Sequence, residues 1–195
     1  MHTAMQKHAM ITQIADLIPA TYNPRKTLMP GDAEYEKMYA KILPECDVIV
    51  YIINAHSKDI GEDCRILRDV VLPVCNTNNI RENLILAFNK IDTIGEMQNP
   101  NDPELRWNTV ENLPTEKLKS AIKIKLEDLT DKLIDERLVG GEDSIKPHQV
   151  VFYSAIYNYN LSAFLKAITV AGNRGWIWTG TVGFEQIGKW SDKKL

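Results

Sequence analysis

A continuous apolar run that ends abruptly in polar residues limits the folds open to this chain. Residues 84–88 are Leu-Ile-Leu-Ala-Phe, and Asn89-Lys90-Ile91-Asp92 follows them directly. A strand with one face in water alternates apolar and polar residues, whereas a strand buried on both faces does not. The run is therefore typical of a buried strand in a parallel sheet, and its polar end is expected at the carboxyl edge of that sheet.

Three other segments are predicted strands, and predicted helices separate them. The strands are residues 10–16, 47–53 and 149–153. Helical spacing of apolar residues predicts helices at about 35–43, 60–71, 115–138 and 161–168. Pro44, Pro73 and Gly140-Gly141 are the stop signals expected for the first three helices. Asn160 is expected to cap the fourth helix with its side chain.

This alternation predicts an α/β domain with a mostly parallel sheet in a three-layer arrangement. The carboxyl ends of parallel strands meet at one edge, and ligands of such sheets bind there. Polar residues that follow the predicted strands should therefore lie together at this edge. They are Asn54, the segment 89–92, Ser154 and Ala155.

Composition excludes several classes of protein. A chain of 195 residues with 44% apolar and 25% charged residues suits one domain with a sizeable core. A net charge of −3 gives no sign of nucleic-acid or anionic-membrane binding. No apolar run is long enough for a membrane span, and the four histidines lack the spacing of a zinc site. Cys46, Cys64 and Cys75 lack paired spacing, so we expect reduced thiols in a cytoplasmic protein.

The tetrad Asn89-Lys90-Ile91-Asp92 has the chemistry needed to read a guanine base. The Asp92 carboxylate can accept hydrogen bonds from the N1–H and the exocyclic amine of guanine, a donor pair that adenine lacks. Lys90 can lay its aliphatic stem along the base, and Asn89 can tie the loop to its neighbours. Any strand can end in polar residues, so the four positions alone are a weak signal. The preceding buried strand and the later Ser154-Ala155 strengthen it.

Further short segments between Tyr35 and Ile168 carry a family resemblance. They are Glu34-Tyr35 with Tyr39, 43–47 (Leu-Pro-Glu-Cys-Asp), Trp107, 112–115 (Asn-Leu-Pro-Thr) and 159–161 (Tyr-Asn-Leu). Together with the tetrad they resemble the second half of an Era-like GTPase domain. The pattern is similar to that of a bacterial, often prophage-borne group of ribosome-binding GTPases. The resemblance implies a cytoplasmic P-loop fold, GTP or GDP with Mg²⁺, a ribosomal partner, and a backbone N–H near Ala155 turned toward the guanine oxygen.

The phosphate-binding half of such a site is not found in the sequence. A phosphate-binding loop needs Gly-x-x-x-x-Gly-Lys-Ser/Thr, and these 195 residues do not contain it. Residues 24–27 (Pro-Arg-Lys-Thr) copy only its end, and proline has no N–H to offer a phosphate. Asp16 stands where the family's magnesium-linked aspartate would be, which makes it the candidate metal ligand. The family motif is Asp-x-x-Gly, but Leu17-Ile18-Pro19 follows Asp16 and supplies no glycine, so a loop cap is the alternative role.

These observations predict an incomplete GTPase-like domain over residues 1–172 and an irregular tail over 173–195. The strand that precedes the phosphate loop would be missing from the centre of the sheet. The segment 10–16 could move into that place, a partner protein could supply a strand, or the chain could be a poorly folding remnant. We expect guanine-nucleotide binding with weak or absent hydrolysis and predict no catalytic residue. The alternative is a non-catalytic interaction module, or a remnant, on a GTPase scaffold.

Overall fold

The structure, a computed structural model, describes residues 33–172 of the chain. The predicted strand at 10–16, the candidate ligand Asp16 and the tail after Gly172 lie outside these residues. Two compact units are distinguished along the chain, Met1–Lys37 and Met38–Leu195. Helix α1 (Ala33–Ile42) runs into a 3₁₀ turn, Leu43–Glu45, that contains Pro44. The predicted end of this first helix at Pro44 is thus confirmed.

Three parallel strands form the sheet in the described part of the second unit. They are β1 (Ile49–Asn54), β2 (Leu84–Asn89) and β5 (Val150–Phe152), in the spatial order β1-β2-β5. Asn54 pairs with Asn89 in the register of β1 and β2, and Phe88 pairs with Phe152 in that of β2 and β5. The prediction of a parallel α/β sheet is therefore confirmed, and the three carboxyl ends share one edge.

Strand β2 is covered on both faces, as its continuous apolar sequence predicts. Each residue from Leu84 to Phe88 has 0% exposure. Ile85 and Ala87 lie in a core cluster with Val151, and helix α6 (Leu161–Ala171) packs Phe164 and Ile168 against it. Alternate strand residues point to opposite faces, so the buried Leu84, Leu86 and Phe88 belong to a second covered face.

The prediction that Pro73 ends a helix is wrong. Helix α2 (Gly61–Ile66) passes into a π-helical turn (Leu67–Val71) and then into helix α3 (Leu72–Thr77), which contains Pro73. In the π turn the Leu72 N–H donates to the Leu67 carbonyl, five residues back instead of four. A wider turn moves carbonyl groups away from the proline ring, so the helical path continues through Pro73 although proline donates no N–H.

Helix α5 (Glu116–Asp135) begins where the sequence predicts, with the Thr115 hydroxyl accepting from the Leu118 N–H at 3.2 Å. It ends before the predicted Leu138. Arg137 is left-handed at φ 57°, and the Leu138 N–H donates to the Leu133 carbonyl at 2.8 Å. This six-residue closure is a Schellman motif, with Leu133 and Leu138 both buried. The helix stops at a non-glycine residue because the buried leucine pair holds the turn, so Gly140-Gly141 is not its end.

The polar, proline-rich segment 94–114 has defined structure. It contains helix α4 (Ile94–Gln98), a 3₁₀ turn (Pro103–Leu105) and a hairpin of β3 (Trp107–Asn108) with β4 (Leu113–Pro114). Gly95 makes this packing close, because a Cβ there would lie 2.1 Å from the Leu105 carbonyl oxygen. The segment is thus attached to the body of the fold.

Two of the three cysteines are buried as free thiols. Cys64 and Cys75 are buried and free, and burial raises the pKa of each thiol to about 11. Thiols that hold their protons so firmly are poor nucleophiles. Among the described residues, no helix combines the length and apolar character needed to cross a bilayer.

Candidate functional site

Hydrogen bonds gather the loops after β1, β2 and β5 at the carboxyl edge of the sheet. The Ala55 N–H donates to the Asn89 carbonyl at 2.7 Å, and the Tyr153 N–H donates to the Phe88 carbonyl at 2.9 Å. Phe88 and Phe152 also stack at the strand ends, with ring centroids 4.9 Å apart. The sequence placed polar residues at a common edge, and the structure brings them there.

Asn89 joins the tetrad to the loop after β5. Its side-chain oxygen Oδ1 accepts from the Lys90 N–H at 2.7 Å and from the Ala155 N–H at 3.2 Å. Lys90 is left-handed at φ 65°, and the 3₁₀ turn Ile91–Thr93 begins immediately after it. A left-handed residue costs about 1 kcal/mol, and the short bond from Asn89 helps to hold it. Four of the predicted site residues, Asn89, Lys90, Ser154 and Ala155, are therefore neighbours.

Asp92 is buried and incompletely paired. The residue is 6% exposed, and its Oδ1 accepts no hydrogen bond from any group in the described part of the chain. A buried polar atom without a partner costs about 1–3 kcal/mol, and more for a charged group. Such an atom needs an explanation in a native fold. A ligand with N–H donors is one explanation, because it would supply what Oδ1 lacks.

Ser154 and Ala155 begin a loop that closes on itself. The Ser154 N–H donates to the Tyr159 carbonyl at 3.1 Å, and the Tyr159 N–H donates to the Ser154 carbonyl at 3.0 Å. The Ser154 hydroxyl oxygen accepts from the Tyr157 N–H at 3.3 Å. Ser154 is fully buried, whereas Ala155 is exposed. We call residues 154–159 the Ala155 loop. The buried serine anchors this loop, and the exposed alanine is its accessible position.

His56 is a neighbour of the tetrad whose position the sequence did not reveal. Its Nδ1 lies 2.7 Å from the Thr93 Oγ1, and the Thr93 hydroxyl lies 3.0 Å from the Lys90 carbonyl. A hydroxyl has one proton. If Thr93 donates it to that carbonyl, the neutral imidazole must carry its proton on Nδ1 and donate to Thr93. The spacing of the four histidines gave no indication of a zinc site and no signal for this contact, which only the fold creates.

The charge state of His56 follows from its surroundings. Burial lowers the pKa of the imidazole, the Lys90 ammonium lowers it further, and the Asp92 carboxylate opposes both. The ordinary pKa of histidine is about 6.5. Because the pKa of His56 is lowered, its imidazole stays neutral to a lower pH than an unshifted histidine does. Neutral His56 can keep the bond to Thr93 that supports the left-handed Lys90.

Asn160 does not cap its helix as expected. It occupies the position before α6 with φ 58°, and its side chain makes no capping hydrogen bond there. Its amide Nδ2 instead donates to the Phe152 carbonyl at 2.7 Å. The amide is used to fix the end of β5 beside the Ala155 loop, because that carbonyl is left at the strand terminus. The expected cap is therefore wrong, and the residue supports the site's loop instead.

The described residues do not supply a candidate metal site. Within residues 33–172 no group of three or more His, Cys, Asp or Glu side chains is arranged to hold a metal ion. Asp16, the predicted Mg²⁺ ligand, lies outside this range.

No protein-family model matches the chain, and neither the curated proteins nor the solved structures include a significant match.

Proposed function

We propose that this chain binds guanine nucleotides, GTP or GDP, through a GTPase-like base-binding site at the carboxyl edge of its sheet. The observation that carries the proposal is the buried Oδ1 of Asp92, which lacks a partner beside a loop that Asn89 ties to Ala155. P-loop ancestry follows from the resemblance and remains part of the same proposal.

The chemistry of guanine matches the groups left available. Asp92 presents an acceptor without a donor, and guanine has two adjacent donors, N1–H and the exocyclic amine. Adenine would place the lone pair of its N1 against the same oxygen. The exposed Ala155 N–H can share its 3.2 Å bond to Asn89 with the 6-oxo group of guanine. Lys90 is exposed, so its stem is free to cover a base.

Access to Asp92 sets an expectation for the binding rate. At 6% exposure the carboxylate is covered, so a base reaches it only after a local rearrangement. Association that requires a conformational change is slower than association with an open, preformed site. A slow association step in stopped-flow measurements is therefore part of this proposal.

Hydrolysis is proposed to be weak or absent in this chain alone. Phosphoryl transfer depends on positioning the phosphates and on stabilising their charge. The phosphate-binding motif is missing from the sequence, and Asp16 is the one candidate Mg²⁺ ligand that the sequence suggests. We propose that the chain binds nucleotide but releases phosphate no faster than uncatalysed GTP hydrolysis does.

Calorimetric titration with GDP, GTP, ATP and XDP tests the base-binding proposal. The wild-type chain should bind guanine nucleotides more tightly than ATP by roughly 10²-fold or more. Asp92→Asn presents an amide donor, so it should lose GDP affinity by about 10²-fold and gain affinity for XDP, whose 2-oxo group accepts. Asp135→Asn is the matched control, because Asp135 is an exposed aspartate at the end of α5.

Two results would contradict the proposal. Absence of GDP and GTP binding at millimolar concentration would remove the function and leave the non-catalytic interaction module or the remnant. Equal affinity for GDP and ATP would show that binding, where present, does not use the hydrogen-bonding edge of the base. A change of preference toward XDP in Asp92→Asn but not in Asp135→Asn would support it.

A further inference from the structure

The hairpin β3–β4 contacts the Ala155 loop through one asparagine. The Asn112 Oδ1 accepts from the Trp107 indole Nε1–H at 3.2 Å. The Asn112 Nδ2 donates to the Tyr157 carbonyl at 3.1 Å. A single side chain therefore links the first strand of the hairpin to the middle of the Ala155 loop, 45 residues later in the chain.

Aromatic packing supports the same junction. The Trp107 ring stacks on the Tyr157 ring, with centroids 4.6 Å apart and planes 9° apart. Tyr159 meets Trp107 edge-on at 5.2 Å. Trp107 is 8% exposed and Tyr159 is 2% exposed, so the contact is largely dry. Aromatic pairs of this kind contribute beyond their buried area, and here they bridge segments distant in sequence.

The Ala155 N–H is thus positioned from two sides. Asn89 holds it from the end of β2 at 3.2 Å. The Ser154–Tyr159 backbone pair closes the loop, so that contacts at Tyr157 and Tyr159 limit where Ala155 can lie. Without the hairpin, the strand end, Asn89 and the loop's own Ser154–Tyr159 pair would still hold this N–H, but the loop would lose the contacts that Tyr157 and Tyr159 make with Asn112 and Trp107.

We propose that the hairpin β3–β4, through Asn112 and Trp107, positions the Ala155 N–H to read the 6-oxo group of a guanine base. Asn112 and Trp107 are positioning residues that touch the loop and not the nucleotide. The inference rests on the proposed function and specifies which part of the base this element controls. Asp92 follows β2, and its Oδ1 accepts no hydrogen bond from the hairpin, so its reading of N1–H and the exocyclic amine should not depend on the hairpin.

Asn112→Gly tests the role without adding backbone strain. Asn112 is left-handed at φ 51°, a conformation that glycine adopts freely. The variant removes both hydrogen bonds and keeps the backbone. Asn79→Gly is the matched control: Asn79 has φ 55°, is exposed in the turn after α3, and no side-chain hydrogen bond is recorded for it in the described part of the chain. Trp107→Phe is a second variant: it keeps an aromatic ring and the Asn112–Tyr157 bond, but removes the indole N–H together with part of the stacking surface.

Three nucleotides separate the two edges of the base. GDP is the reference, 6-thio-GDP carries a larger sulfur, which is a weaker acceptor, at position 6, and IDP lacks only the exocyclic amine. In Asn112→Gly the preference for GDP over 6-thio-GDP should fall by about five- to tenfold, the effect of losing one well-formed hydrogen bond. The preference for GDP over IDP should stay within about twofold of wild type, and Trp107→Phe should change the first preference by a smaller factor.

Each outcome distinguishes this inference from the proposed function. A selective loss of the 6-position preference in Asn112→Gly, absent in Asn79→Gly, supports it. If both preferences persist, or if both fall together, the hairpin does not position this N–H specifically, while guanine binding by the wild type still stands. If the wild type binds no nucleotide, the proposed function and this reading role fail together. Circular dichroism of the variants at the assay temperature confirms that each is folded.

Discussion

Gln149 offers a test of the sheet that does not depend on any ligand. Its side chain is 2% exposed and makes three hydrogen bonds to backbone groups. The Nε2 donates to the Arg81 carbonyl at 2.8 Å and to the Leu84 carbonyl at 2.6 Å, and the Oε1 accepts from the Lys146 N–H at 2.8 Å. One amide therefore fixes the start of β5 against the start of β2, the two strands whose opposite ends carry the tetrad and the Ala155 loop.

Gln149→Leu removes all three bonds with little change in volume. At about 1 kcal/mol net for each bond, the free energy of unfolding should fall by about 3 kcal/mol. For a chain of this length, each kcal/mol corresponds to a shift of about 2–4 °C, so the melting temperature should fall by roughly 6–12 °C. Urea denaturation followed by circular dichroism measures the free energy, and a scanning calorimeter measures the melting temperature.

Gln149→Glu adds a dependence on pH with a definite sign. A carboxylate would lie beside the Arg81 and Leu84 carbonyls in a buried position, so its pKa in the folded variant should be raised above the ordinary value of about 4.3. The folded state then binds more protons than the unfolded state, and stability falls as pH rises through this range. The variant should approach its greatest stability near pH 4 and lose it toward pH 7, relative to wild type.

The control is Gln98→Glu, which makes the same chemical change at the exposed end of α4. A loss of less than about 1 kcal/mol in Gln149→Leu, with an unchanged denaturant slope, would refute the reasoning. So would a Gln149→Glu variant whose difference from wild type is the same at pH 4.5 and pH 7.5. Either result would mean that the three bonds are replaced by other partners in the variant.

Two further predictions concern the surroundings of the tetrad. Gly95→Ala should lower the free energy of unfolding by about 3 kcal/mol or more in urea denaturation, because the new methyl group would lie 2.1 Å from the Leu105 carbonyl oxygen. Gly61→Ala is the control: its methyl group meets only a flexible side chain, so this variant should be nearly neutral. The His56 imidazole should titrate below about pH 6.5 by NMR, and its contribution to stability should be lost as pH falls below that value, because the unfolded state then binds more protons. An upward titration shift, or a His56→Asn variant with the same acid profile as wild type, would contradict the second prediction.

The sequence was most informative where one physical effect dominates. The run at 84–88 predicts a strand covered on both faces, because no polar residue interrupts it, and every residue of the run is buried. Apolar spacing predicts a helix from about residue 115, and the structure adds that the Thr115 hydroxyl caps the start of α5. Parallel order predicts a common edge for the polar strand ends. Each of these predictions uses local chemistry or one simple rule of sheet geometry.

The sequence was less informative where distant packing decides the local structure. Pro73 lies inside a helical segment because a π turn precedes it, and no residue pattern announced that turn. The hairpin has two-residue strands, too short for any alternation, and Trp107 gains its partners Tyr157 and Tyr159 only when the chain folds. His56 meets Thr93 across 37 residues. Contacts of this range leave no periodic signal, so these supporting contacts were not predicted, whereas the grouping of polar strand ends at one edge was.

Asp92 differs from the other described residues whose buried side-chain atoms lack a hydrogen-bond partner. Three such atoms are found in that part of the chain: the Arg81 Nε, the Tyr159 hydroxyl and the Asp92 Oδ1. Arg81 uses another nitrogen of the same group to pair with Asp143 at 3.2 Å, so its charge is compensated. Tyr159 is neutral, and burial raises its pKa to about 12.

Asp92 differs from both, because it is an acidic side chain for which neither a cation nor an N–H donor is recorded at bonding distance among the described residues. Proteins leave such groups unsatisfied mainly where function requires them, since each costs stability that better packing could recover. A base that donates to Oδ1 would return that stability on binding, whereas a purely structural role for Asp92 would leave it lost. Under the proposed function, a donor ligand at the end of β2 would pair this oxygen, whereas an interaction module that merely retains the scaffold would leave it unpaired.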